Sequence, residues 1–245
     1  MLDMVLRFAL AAIPAIMAIT LHEAAHGYAA WALGDDTAKR AGRLSLNPLV
    51  HVDRVGTILL PGFLMLAQLL TIGKIAFLFG WAKPVPVGAW KFSNPRRGMM
   101  VVAAAGPAMN FFLAWLAALS LHLIDVVPGL GVGTVGHVFI TFAEYFILAN
   151  LVLGLFNLLP IPPLDGGRIV VGLLPEGLAR VWGSVERAGI VIVLLLVFLL
   201  PRLLAEFDID FNPVGDALGV AIPWAMRVIF LLAGHDVAGS DAHSF

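Results

Sequence analysis

The stretch His22-Glu23-Ala24-Ala25-His26 lies inside an apolar run from Met4 to Leu33. A bilayer core is crossed by about 20 apolar residues, so this run is long enough to span it. Within lipid the run must be helical, because the backbone has to satisfy its own hydrogen bonds. Residues four apart share one face of a helix, so His22 and His26 are placed to bind one zinc ion. Glu23 lies one step round the helix, where a carboxylate can act as a base on a metal-bound water.

The membrane setting of this stretch strengthens that interpretation. A single histidine in an apolar helix is usually a buried residue with a satisfied ring. Two histidines and a glutamate within five positions are different, since each ionisable group at this depth costs about 2.5 kcal/mol or more without a partner or a function. The stretch therefore predicts a metal site.

Composition places the chain among integral membrane proteins. Of its 245 residues, 60% are hydrophobic and 13% are charged, whereas a soluble domain is about half apolar and about a quarter charged. The net charge of −1 gives no reason to expect a nucleic-acid partner. The chain has no cysteine, which excludes disulfides and thiolate ligands, so a zinc site must use His, Asp or Glu.

The distribution of apolar segments predicts an all-α polytopic membrane protein with about five transmembrane helices. The predicted spans are 4–33, 97–124, 137–159, 188–205 and, more weakly, 214–233. No polar stretch is long enough to fold separately. We therefore expect a single integral membrane domain, 1–245, with a core at 1–175, accessory helices at 188–233 and a disordered tail at 235–245.

Three further segments call for other assignments. Val55–Gly80 is apolar but interrupted by Pro61, Gly62, Gln68 and Gly73. If HEAAH and Asp165 hold one metal, the connection between the first two spans leaves and returns on one side of the membrane. The 26 residues of Val55–Gly80 are too few for two crossings, which need about 40, so we expect this segment to re-enter or to lie against the bundle. Gly42–Leu46 alternates apolar and polar residues, as a short strand does. Pro84–Val87 is too rich in proline for a helix and suits an edge strand. We expect both to be short membrane-associated β-strands and candidate partners for an unwound peptide.

A catalytic zinc site usually has three protein ligands and a water, so a third ligand is needed. His51, on the loop after the first helix, is the best-placed further histidine. Asp165 follows a complete span and three prolines, in an otherwise apolar neighbourhood. An aspartate there also suits a helix N-cap. Because catalytic zinc accepts two histidines and a carboxylate, the sequence favours Asp165 as the third ligand.

These motifs together resemble the site-2 protease family of intramembrane zinc metalloproteases. The resemblance lies in HEAAH (22–26), GPAMN (106–110) and NLLPIPPLDGG (157–167). The stretches TAKRAGRLSLNPLVHVDRVGT (37–57) and GWAKPVPV (80–87) resemble the compact prokaryotic branch of that family.

The resemblance implies a role for each motif residue. It implies one zinc ion per chain with His22, His26 and Asp165 as ligands, and Glu23 as the catalytic acid and base. Asn110 is implied to lie near the active site. We take Asn110 and His51 as candidate substrate or transition-state contacts.

The implied activity is hydrolysis of peptide bonds in transmembrane segments of membrane-tethered proteins or signal-peptide remnants, as in regulated intramembrane proteolysis. The expected partners are a membrane-spanning protein substrate and the lipid bilayer. Two alternatives stay open. A metal-binding transporter would also keep polar residues inside its spans, although no inverted repeat is evident. An inactive protease-like chaperone would have no need of an intact Glu23.

Geometry and charge together predict the orientation. If HEAAH and Asp165 hold one metal, the end of the first span and the end of the third lie on the same side of the membrane. That side would carry twelve of the fifteen basic residues: Lys39, Arg40, Arg43, Arg54, Lys74, Lys83, Lys91, Arg96, Arg97, Arg168, Arg180 and Arg187. Basic residues concentrate in cytoplasmic loops. We therefore expect the active site to face the cytoplasmic side. The resemblance to the prokaryotic branch implies that the membrane is a prokaryotic inner membrane.

Overall fold

The structure, a computed structural model, describes residues 2–73 and 80–236. Within these ranges the backbone is helical or irregular and contains no β-strand. The main helices are α1 (Leu2–Ala32), α2 (Leu60–Ile72), α3 (Pro95–Ser120), α4 (Gly133–Asn157), α5 (Asp165–Leu173), α6 (Glu176–Ser184), α7 (Glu186–Leu194) and α8 (Pro213–Leu232). A π-helical segment, Arg54–Leu59, leads into α2, and α7 continues through a second one, Leu195–Leu199, into Leu200–Ala205.

Six helical stretches in the described residues are long and apolar enough to cross a membrane. They are Ala9–Ala32, Arg54–Thr71, Pro95–Val126, Gly133–Asn157, Ala188–Ala205 and Pro213–Leu232. The all-α polytopic architecture is thus confirmed for this part of the chain, and five of the stretches coincide with the predicted spans.

The sixth stretch covers most of the predicted segment Val55–Gly80. A helix of this length and composition could cross a membrane, so the re-entrant assignment is not supported on these grounds. The residues interpreted as helix breakers fit the helix. Pro61 is the second residue of α2, directly after the π-helical segment, and its fixed φ suits a helix. The carbonyl of Gly56, five residues earlier, accepts a hydrogen bond of 3.1 Å from the N–H of Trp81 instead. Gln68 donates its amide to the carbonyl of Leu64 at 2.9 Å, within its own helix. Gly73 ends the helix at φ +70°. Residues 74–79 of the predicted segment lie outside the described residues.

The two predicted strands are also wrong. In Gly42–Leu46 the polar Arg43 is buried and the apolar Leu46 is exposed, so the alternation does not mark an apolar face. In Pro84–Val87 the two prolines have no N–H to give to a ladder. Both segments are irregular, and their hydrogen bonds go to loops and side chains instead.

The long helices α1, α3 and α4 pack against one another, and α5 packs against α3. Small side chains on α3, including Ala114, Ala117 and Ala118, allow the close approach of α4 and α8. Large apolar side chains cover the outward faces, as expected of a surface in contact with lipid.

The tail predicted to be disordered lies outside the described residues except for its first two. Of these, His235 has Nε2 2.8 Å from the carbonyl oxygen of Ala118 and its ring stacked on His122. The division of the chain into a core, accessory helices and a tail stays a prediction.

Candidate metal centre

Three side chains from two distant parts of the chain converge at α1. The Nε2 atoms of His22 and His26 are 3.0 Å apart. Asp165 Oδ2 lies 3.1 Å from Nε2 of His22 and 3.3 Å from Nε2 of His26. Ligand atoms at about 2.0–2.2 Å from a tetrahedral zinc are roughly 3.3–3.5 Å from one another. The observed triangle is therefore within a few tenths of an ångström of a zinc site.

Asp165 reaches this position because the chain turns sharply after α4. It is the first residue of α5, which begins directly after the proline-rich turn. Gly166 and Gly167 follow, and a Cβ atom on Gly166 would lie only 2.2 Å from the carbonyl oxygen of Leu158. Only glycine permits this close approach of backbone to backbone. The N-cap of α5 is Leu164 and no side-chain cap hydrogen bond is made, so Asp165 is not used as an N-cap.

The hydrogen bonds of the imidazoles show which nitrogen of each ring is free. His26 Nδ1 is 2.7 Å from the backbone carbonyl oxygen of Val102. A carbonyl can only accept, so Nδ1 carries the hydrogen and Nε2 of the neutral ring presents a lone pair. His22 Nδ1 is 2.6 Å from Oδ1 of Asn110. His22 must therefore also carry its hydrogen on Nδ1 and present a lone pair at Nε2.

This arrangement fits a bound cation. Two imidazole lone pairs and a buried carboxylate oxygen face one another, and they repel unless a positive charge lies among them. Asp165 Oδ2 is buried and accepts no hydrogen bond from the described residues. The set of two imidazole nitrogens and one carboxylate oxygen is one that catalytic zinc uses.

Glu23 lies beside the triangle without belonging to it. The group of potential metal ligands among the described residues contains His22, His26 and Asp165 alone. Glu23 is half-buried, and its Oε2 accepts a hydrogen bond of 3.1 Å from the backbone N–H of Val85. The irregular segment around Val85 therefore lies against this carboxylate.

The other two candidate site residues lie in different settings. Asn110 is completely buried and contacts His22 directly. His51 is buried within the loop after α1, where its Nε2 is 3.0 Å from the carbonyl oxygen of Ser45. A substrate contact for either residue stays a prediction.

Sequence reasoning missed three residues at this centre. Val102 contributes only its carbonyl group, which no sequence pattern reveals. Gly106 stands in the GPAMN motif, but the reason for a glycine there depends on how α1 and α3 pack. Asn150 donates nothing to the metal triangle itself, yet its Oδ1 accepts a 2.8 Å hydrogen bond from Asn110 Nδ2. An amide in the interior of the apolar span 137–159 was the available signal.

Comparisons with known proteins agree with this geometry. Residues 124–200 match Peptidase family M50. The chain is 40% identical over 181 residues to the "Putative zinc metalloprotease YwhC" of Bacillus subtilis, covering 74% of this chain and 76% of the relative. The chain belongs to the site-2 protease family. It is also 32% identical over 215 residues to the "Putative zinc metalloprotease Rip2" of Mycolicibacterium smegmatis, covering 83% of this chain and 74% of the relative.

Membership of the site-2 protease family confirms the predicted enzyme class. The chain is an intramembrane metalloprotease, and zinc is the cofactor of the family. The candidate spans agree with an integral membrane location. No solved structure gives a significant match to this chain.

Proposed function

We propose that this chain hydrolyses peptide bonds in the transmembrane segments of membrane-tethered proteins or signal-peptide remnants, using a zinc ion held by His22, His26 and Asp165. One observation carries the assignment of the ligands. Both Nδ1 atoms are engaged by oxygen acceptors, so the two Nε2 lone pairs and Asp165 Oδ2 converge on one point. A bound zinc ion polarises the scissile carbonyl and lowers the pKa of a coordinated water.

Glu23 is the proposed acid and base. It accepts a proton from the attacking water and later delivers a proton to the leaving amine nitrogen. Its neighbours on α1 are the proposed ligands, so its carboxylate is held at the edge of the site. The hydrogen bond from the N–H of Val85 helps to orient that carboxylate.

The substrate has to become extended before it is cleaved. A helical segment keeps its peptide bonds inside its own hydrogen-bonded ladder, so the target must unwind locally to present a carbonyl group. We place the active site towards the cytoplasmic side of a prokaryotic inner membrane, because the basic residues concentrate on the connections at that end of the helices.

The test compares cells that produce the active enzyme with cells that produce Glu23→Gln. Quantitative proteomics of the membrane fraction should show truncated products with the active enzyme and uncut precursors with Glu23→Gln. We expect at least about a 10²-fold loss of cleavage, the usual contribution of a positioned acid and base. Glu144→Gln, an exposed glutamate in α4, is the matched control and should process substrates normally.

Three results would contradict the proposal. Wild-type processing by Glu23→Gln would exclude Glu23 as the acid and base. Full zinc occupancy in a His22→Ala, His26→Ala variant, measured by elemental analysis, would exclude the assigned ligands. Zinc binding without any cleavage by the active enzyme would favour a metal-binding protein that is not a protease.

A further inference from the structure

The two imidazoles of the metal centre are oriented in different ways. The partner of His26 is a backbone carbonyl, which can only accept a hydrogen bond. The partner of His22 is the side-chain amide of Asn110, which has an acceptor end and a donor end. If this amide turned over, its NH₂ group would face Nδ1 of His22. The ring would then carry its hydrogen on Nε2, and this nitrogen would have no lone pair to bind a metal.

A second asparagine determines which end of the Asn110 amide faces His22. Asn150 Nδ2 donates to the carbonyl oxygen of Phe146 at 2.8 Å, one turn earlier on α4. That carbonyl can only accept, so Asn150 must present its Oδ1 to Asn110. Asn110 Nδ2 donates to this Oδ1 at 2.8 Å, which leaves Asn110 Oδ1 to accept from His22 Nδ1 at 2.6 Å.

The chain of hydrogen bonds is shielded from water and has one direction. Asn110 and Asn150 are both completely buried, so water does not replace either partner. Asn110 Nδ2 has one other acceptor, the carbonyl oxygen of Ala18, at 3.4 Å. That distance is longer than the usual range of about 2.7–3.2 Å, so Asn150 supplies the stronger restraint.

We propose that Asn150 is a positioning residue for the metal centre: it fixes the orientation of the Asn110 amide and thereby keeps Nε2 of His22 free to bind the metal. This inference rests on the proposed zinc ligands. It assigns to a residue on α4, with no contact to the metal, a role in metal affinity. Partners of this kind, one step away from the ligands, typically change metal affinity by about 10–100-fold when they are replaced.

The test measures zinc affinity of the purified apoprotein in detergent, by competition of Zn²⁺ with a chelator of known affinity. Asn150→Leu has a similar volume but no acceptor, and we expect zinc to bind about tenfold more weakly. Asn110→Leu removes the acceptor from His22 itself, so the loss should be larger, up to about 100-fold. Gln68→Leu, which removes a buried amide that donates within α2, is the control and should bind zinc normally.

The conservative variant Asn150→Asp separates positioning from packing. A neutral carboxyl group can donate to the Phe146 carbonyl and accept from Asn110, so we expect near wild-type zinc affinity. Thermal unfolding is measured for each variant in parallel, because a role in packing alone would change the unfolding midpoint without changing affinity. If Asn150→Leu does not fold, Asn150→Ala replaces it with the same expectation.

The outcomes distinguish this inference from the proposed function. If His22→Ala binds zinc as tightly as the wild type, the assigned metal site is wrong. If His22→Ala loses zinc while folded Asn150→Leu binds it normally, only the positioning role is wrong. Equally weak binding by Asn150→Asp and Asn150→Leu would also contradict the role, since one of them restores the acceptor.

Discussion

At Gly106 the backbone of α3 passes directly beside the two imidazole rings. A Cβ atom at this position would lie 2.6 Å from Cε1 of His22 and 2.5 Å from Cε1 of His26. These distances are far below van der Waals contact, and both rings are held in place by hydrogen bonds at Nδ1. The two histidines can therefore adopt their observed geometry only if residue 106 has no side chain.

We expect Gly106→Ala to weaken zinc binding by at least about tenfold, because one or both rings must leave the ligand triangle. Titration of the apoprotein with Zn²⁺ checks this. Gly219→Ala, on α8, is the matched control, since a Cβ there would meet no atom within 4 Å. Normal zinc affinity in Gly106→Ala would show that the rings tolerate the displacement.

At this scale the sequence predicts what is local and misses what depends on packing. His22 and His26 are four residues apart, so helix periodicity alone brings them together. Asp165 was reached by a chemical argument, the need for an oxygen ligand. Val102 and Asn150 act through contacts between helices, and no spacing in the sequence reveals which faces of α1, α3 and α4 meet.

Among the elements, the segment 80–91, irregular up to a short 3-10 helix at Ala89–Lys91, is joined to the end of α1 through a buried carboxylate. Asp35 has no exposed surface and accepts hydrogen bonds from the N–H of Gly88 at 2.6 Å and from the N–H and hydroxyl of Thr37. Lys91 Nζ lies 3.0 Å from it. Burial raises the pKa of Asp35, but these hydrogen bonds outweigh it and lower the pKa to about 2.

The lowered pKa of Asp35 predicts the pH range in which this junction is lost. A carboxyl group whose pKa is lower in the folded protein stabilises it above the unfolded value of 3.8, and that stability is lost as the pH falls towards about 2. We expect Asp35→Asn to destabilise the protein at neutral pH by about 2 kcal/mol, the strength of a hydrogen bond to a charged group.

Thermal unfolding in detergent at several pH values measures this effect. The difference between the wild type and Asp35→Asn should be constant near neutrality and should shrink below pH 4, since protonated Asp35 resembles asparagine. Asp208→Asn, an exposed carboxylate on the connection between α7 and α8, is the control. A difference that does not depend on pH would rule out the charge of Asp35 as the cause.

The elements that sequence reasoning assigned wrongly fail for physical reasons that are visible in the structure. Arg43 was expected to face water because its side chain is polar. It is buried instead, because its Nη2 donates a hydrogen bond of 2.7 Å to the carbonyl of Lys83. Val85, the residue between Pro84 and Pro86, keeps its N–H and donates it to Glu23. The alternation of polar and apolar residues predicts which side chains face water. That prediction fails where a polar side chain binds the backbone of another segment.

Over the whole molecule, the long spans were predictable because hydrophobicity and length suffice to identify them. The packing of these spans against one another could not be predicted in this way. In an apolar 18-residue window of Ala9–Ala32, 39% of the residues are buried inside the protein, against 11% in Arg54–Thr71 and in Ala188–Ala205. All three are long and apolar enough to cross a membrane, because lipid and a protein interior select the same kinds of side chain. Only the structure separates the central helices around the metal triangle from the peripheral ones.

The connections before and after α2 are joined to each other, which predicts where both lie relative to the membrane. The N–H of Lys83 donates to the carbonyl of His51 at 2.8 Å, and the N–H of Gly88 donates to Asp35. Segments that are hydrogen-bonded to one another share one side of the bilayer. These contacts therefore predict that α2, although long and apolar enough to cross a membrane, does not separate the two connections. Their basic residues indicate the cytoplasmic side.

We therefore expect Ser45→Cys and Ser93→Cys to behave alike towards a membrane-impermeant thiol reagent. The natural chain has no cysteine, so each variant carries a single reactive site. Both should stay unlabelled in intact cells and react once the cells are opened. Val126→Cys, an exposed position after α3, should react in intact cells because a single span separates it from Ser93. Labelling of Ser45→Cys and Ser93→Cys from opposite faces would contradict the arrangement, whereas labelling of both in intact cells would reverse the orientation and place the metal centre towards the outside.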